Sequence, residues 1–236
     1  MDNVLSIFKR EFRSYFDSPV AYIVLMFFLL VSGYFFTSNL FLMNQANLRT
    51  LFGIVPLLYV LFIPAISMRL LAEEKKSGTI ELLFTYPLRD SEIVVGKYLA
   101  ALAMIFVLLL FTFVYPLAVS TLGDLDGGQV VTGYIGLFFL GAAYLAIGMF
   151  ASSITENQIV AFIVALAISF FFFILDKILF FVPPSLASIM EYLAIEYHFQ
   201  NIARGVIDSR NLIYFFSMIF IGLLLASHAL SRRKGD

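Results

Sequence analysis

The densest run of charged and conformationally special residues in this 236-residue chain is Glu73-Glu74-Lys75-Lys76-Ser77-Gly78-Thr79-Ile80-Glu81-Leu82-Leu83-Phe84. Paired acids beside paired lysines, then a Ser-Gly helix break and a short amphipathic stretch, suit docking through ion pairs rather than bond-making chemistry. A topogenic spacer with no partner fits the same charges. A second, sparser group is His198, Arg204, Gly205 and Asp208. An imidazole, a guanidinium and a carboxylate around a glycine can line a gate or can cap and pair neighbouring helices. The supporting role is the expected one, because lone polar residues beside an apolar hairpin usually satisfy its backbone groups.

Catalytic chemistry is poorly supplied. The chain has no Cys and two His, so it offers no disulfide, no thiolate and no zinc centre built from these two residue types. His198 follows Glu196-Tyr197 and His228 stands alone, which leaves no H-E-x-x-H pattern, and there is no G-x-S-x-G elbow. Gly127-Gly128 and Gly141 lack a following Gly-Lys pair, so no phosphate loop is present. The chain is expected to bind neither ATP nor another cofactor itself, and any energy must arrive from outside.

The elements that position these residues follow from composition. Hydrophobic residues make up 61% and charged residues 13%, far below the usual quarter for a soluble domain. With a net charge of −1, no basic excess exists to neutralise a nucleic-acid backbone. Six stretches are long and apolar enough to cross a bilayer as helices, near residues 20–41, 51–67, 99–122, 130–151, 159–175 and 212–230. Runs such as Phe106 to Leu110 lack the alternation a barrel needs, so the fold is read as an all-α integral membrane protein. Of the 15 Lys and Arg residues, only Arg49, Lys177, Arg204 and Arg210 fall on one side, which places both termini and the 69–98 loop in the cytoplasm.

Residues 1–19 repeat apolar positions at helical spacing, Leu5, Phe8, Phe12, Tyr15 and Phe16, and predict an amphipathic helix in the membrane interface that ends at Asp17-Ser18-Pro19. The remainder, 20–236, is one six-helix domain. Its 69–98 loop should hold a helix break at Ser77-Gly78, a short helix closed by Pro87, and a cap at Asp90 or Ser91 for the third span. Its 178–211 loop begins with an apolar stretch containing Pro183-Pro184, too short to span, and predicts a re-entrant hairpin. Pro56, Pro64 and Pro116 can kink the second and third spans. The spans hold no Asp, Glu, Lys or Arg at depth apart from Asp176-Lys177 at an edge, which disfavours an ion-coupled carrier.

The 73–83 run, with Pro87 and then Ile93-Val94-Val95-Gly96-Lys97-Tyr98, closely resembles the segment after the second span in permeases of the ABC-2 transporter family. Residues 197–208, around His198, Arg204, Gly205 and Asp208, resemble the outer loop of the same family, most closely its gliding-motility subgroup. The resemblance implies a permease subunit in the bacterial cytoplasmic membrane. Residues 78–84 would be its coupling helix, seated with Glu73 and Glu74 against a separate ABC ATP-binding subunit that carries ATP and Mg. It also implies a second permease copy or a related permease, export of an apolar or amphipathic substrate, and room for an envelope auxiliary protein. Two readings stand beside it: a mechanical transmitter that anchors an ATPase to envelope partners, and an enzyme acting within the membrane.

Overall fold

The computed structural model describes residues 2–43, 47–81, 88–123, 125–181 and 183–234, and among them there is no strand. Eleven α-helices are described, with one short 3-10 helix (Leu179–Phe181): α1 (Asp2–Asp17), α2 (Pro19–Met43), α3 (Arg49–Ser67), α4 (Ala72–Ser77), α5 (Asp90–Thr112), α6 (Val114–Ser120), α7 (Gly127–Ser153), α8 (Gln158–Ile178), α9 (Pro184–Leu193), α10 (Ile195–Ala203) and α11 (Ser209–Lys234). Six helical segments are long and apolar enough to cross a membrane, and they fall on the six expected stretches. The chain is therefore an all-helical, multi-pass membrane protein.

Helix α7 is the hub. It packs against α3, α5, α8, α10 and α11, and its Leu137, Leu140, Tyr144, Leu145 and Met149 are fully buried. Close approach is possible because α7 is small where its neighbours cross. A Cβ on Gly148 would lie 1.9 Å from Ser67 Oγ of α3, so only glycine fits there. By contrast α2 turns Tyr22, Ile23, Met26, Phe27, Leu30 and Tyr34 outward, as a helix bathed in lipid does.

The third span is kinked, as its proline predicts: it breaks at Phe113 between α5 and α6. Pro116 has no N–H for the carbonyl of Thr112, four residues earlier, and Tyr134 Oη of α7 donates to that carbonyl instead at 2.9 Å. One local expectation needs correction: neither Asp90 nor Ser91 caps α5. The helix begins at Asp90, and Glu92 reaches back so that its carboxylate accepts from Arg89 N at 2.9 Å. The breaks at Ser18, between α1 and α2, and at Gly78 lie where the sequence places them.

Candidate functional site

Gly78 sits at φ 72, in the left-handed region, and closes α4 with its N–H directed to the Lys75 carbonyl at 3.3 Å. Ser77 Oγ donates to the Glu73 carbonyl at 2.9 Å and lies 2.8 Å from Thr79 Oγ1, which fastens the turn from both sides. Helical backbone resumes at Thr79, and Ile80 is fully buried while Ser77, Gly78, Thr79 and Glu81 are exposed. One apolar anchor thus holds an open polar edge. Leu82, Leu83 and Phe84, with Pro87, lie outside the described residues.

Of the four charged residues ahead of this turn, Lys76 shares its exposure and Glu73, Glu74 and Lys75 do not. Glu74 Oε1 lies 2.9 Å from Lys97 Nζ of α5 and 3.4 Å from Arg10 of α1, and Lys97 also meets Glu11 Oε1 at 3.1 Å. Arg10 closes the ring on Glu11 at 2.7 Å. Lys97 is 1% exposed, so its ammonium depends on these two carboxylates. Burial pushes the Glu11 carboxyl up, but Lys97 and Arg10 outweigh it and hold the group below the usual carboxylate range. Glu73 instead takes Arg69 in a two-pronged pair at 2.7 and 3.1 Å.

A second fastening joins the same segment to α7. Between α3 and α4 the backbone N–H groups of Leu71 and Ala72 both donate to Ser152 Oγ at 3.0 Å, and that hydroxyl donates to the Met68 carbonyl at 3.1 Å. Lys75 is buried and donates to the Ser153 carbonyl. The inward face of α1 also differs from its apolar stripe. Ile7 and Glu11 point into the protein, with Ile7 against Gly96 of α5, while Phe8 stacks on Phe12 at 5.7 Å and Phe12 meets Phe16 edge to face at 5.2 Å. Of the predicted site residues, Glu73 and Glu74 therefore brace the turn, and Gly78, Thr79 and Glu81 form its exposed edge.

A family model described as ABC-2 family transporter protein matches residues 5–231. The chain belongs to the ABC-2 transporter family. It is accordingly the membrane permease subunit of an ABC transporter, a kind of subunit that works with an ABC ATP-binding subunit and is typically not an enzyme. A comparison with curated proteins returns no match.

At the opposite end of this ABC-2 permease the second predicted group separates. His198 is buried, its two ring nitrogens 2.8 Å from Asn211 Oδ1 and 2.9 Å from the Tyr192 carbonyl, and its ring stacks on Tyr214 with centroids 3.9 Å apart. Asp208 Oδ1 accepts from Arg210 N at 2.9 Å at the start of α11. Gly205 takes φ 100 in the turn between α10 and α11. Arg204 stands exposed beside it, and its side chain pairs with no carboxylate among the described residues.

Sequence reasoning missed Glu11, Lys97, Ser152, Ser153 and Glu196. Lys97 carried a signal, a lone cation inside the apolar run Ile93 to Ala101. Glu196 carried none, since it was assigned to a loop. It is 2% exposed on α10, which packs on α7, and only Oε1 is engaged, accepting from Gln200 at 2.8 Å.

Proposed function

We propose that residues 78–84 are the joint through which a separate ATP-binding subunit, holding ATP and Mg, drives this permease. What supports the reading is the pairing of opposites at one spot: an exposed Ser77-Gly78-Thr79 edge with Glu81, and directly behind it Glu74, Lys75 and Ile80 tied to α1, α5 and α7. A push on the free edge reaches two spanning helices and the N-terminal helix through buried, short contacts rather than through a slack loop.

In this reading the coupling end faces the bacterial cytoplasm with both termini, and a second copy or a related permease completes the path. The cargo is apolar or amphipathic and is exported, because the spans offer few polar groups to a hydrated ion. The test is affinity purification of the permease co-expressed with its ATP-binding subunit, comparing wild type with the pair Gly78→Val and Glu81→Lys. The wild type should retain the subunit and stimulate its ATP hydrolysis, and the double variant should insert normally yet lose both. Unchanged retention and hydrolysis in the double variant would reduce this loop to a spacer.

A further inference from the structure

At the end of the bundle away from Glu74, Lys177 pairs with Asp176 at 3.0 Å, whereas the side chains of Arg49, Arg204 and Arg210 have no carboxylate partner among the described residues. These three do not scatter. Arg49 and Arg204 line one cavity of about 360 Å³ together with Phe52, Gln129, Gln200 and Ala203, and Arg204 and Arg210 line an adjoining one of about 760 Å³. Among the described residues no carboxylate lines the first cavity, whereas Asp208 lines the second and Asp126 lines a third that shares Arg49, Phe52 and Gln129. The nearby Asp126 has its Oδ1 occupied by Gly128 N and Gln129 N, at 2.9 and 3.2 Å.

Position adds to chemistry. Arg49 begins α3 and Gln129 lies in the first turn of α7, so both stand where a spanning helix leaves the hydrocarbon, the depth at which lipid phosphates lie. Guanidinium forks match phosphate oxygens in pairs, and the glutamine amides supply further donors. Phe52 and Ala203 give the cavity an apolar wall beside its charged ones.

We infer that the Arg49–Arg204 cavity is a binding site for an anionic phosphate diester, filled by the headgroup of a membrane lipid and independent of the coupling joint. Arg49 and Arg204 carry the charge, and Gln129 and Gln200 orient the phosphate.

The experiment is native mass spectrometry of the purified full chain equilibrated with equal amounts of phosphatidylglycerol and phosphatidylcholine. The wild type should retain one phosphatidylglycerol per chain in preference to phosphatidylcholine. Arg49→Gln or Arg204→Gln alone should weaken retention about tenfold and the pair about a hundredfold, as expected for charge-assisted contacts. Arg49→Lys with Arg204→Lys keeps the charge without the forks and should fall between. A second arm adds inorganic phosphate. Displacement by millimolar phosphate would show that the phosphate group alone is read, and resistance would show that the lipid is required; both support the site. Equal retention of the two lipids, or full retention by the Arg49→Gln and Arg204→Gln pair, would overturn it.

Discussion

Lys97 Nζ and Glu74 Oε1 lie 2.9 Å apart, one on the third span and the other on the short helix that extends the second. Their side chains are 2% and 18% exposed, so the pair is shielded from water and joins the two arms that flank the Gly78 turn. Glu11 of the N-terminal helix shares the same ammonium at 3.1 Å. Three separate pieces of chain therefore meet on one charge.

Removing that charge should loosen all three. Lys97→Met leaves two partly buried carboxylates with only the exposed Arg10, and the expected loss is about 3 kcal/mol of stability. Thermal unfolding in detergent measures it. Glu74→Gln should cost less, because Lys97 keeps Glu11.

Two carboxyls should give pH dependences of opposite sign. Burial raises Glu11, but Lys97 and Arg10 bring it net below its ordinary value of 4.5, so its contribution is complete above that pH and fades as pH falls through the native value. Burial raises Glu196, with Gln200 only partly offsetting, so the folded state favours the protonated form and stability declines as pH rises from 4.5 through the native value. Glu196→Gln should abolish the decline on the alkaline side of 4.5, and Glu11→Gln the loss on the acid side. Melting temperatures recorded against pH for the three proteins check both signs.

The α3–α7 crossing should tolerate no added carbon. An alanine at Gly148 would put Cβ 1.9 Å from Ser67 Oγ and 2.6 Å from Ser67 Cβ, and Gly148→Ala should destabilise by about 1–3 kcal/mol. Ser67→Gly in the same chain should recover most of the loss. Gly53→Ala, also within α3 but with nothing within 4 Å, serves as the control that should not destabilise the protein.

Orientation is checked by labelling single cysteines in a chain that has none of its own. Lys76→Cys and Val206→Cys occupy exposed positions at the two ends of the bundle. An impermeant reagent added to intact cells should modify the second and spare the first.

How much of this was legible in the sequence depends on the range of the interaction. The six spans, the breaks at Ser18 and Gly78 and the capping function of Asp208 follow from composition and from turn residues acting on their own neighbours. The Pro116 break was half legible: the proline announces a lost hydrogen bond, but that Tyr134 replaces it depends on where α7 lies. The Glu11–Lys97–Glu74 cluster and the Ser152 fastening join residues far apart in the chain, and no periodicity marks them. Glu11 even sits among Lys9, Arg10 and Arg13, where it reads as one member of a solvated charge run.

The most direct test of the coupling account is site-specific photo-crosslinking in the assembled transporter. A photoreactive residue replacing Thr79 or Glu81, both exposed beside the buried Ile80, should crosslink to the ATP-binding subunit, and the yield should change when ATP is added. The same residue at Leu122, exposed beyond the far end of the third span, should give no such product. Crosslinks from Leu122, or none from Thr79 and Glu81 in a complex that retains its ATP-binding subunit, would contradict the account.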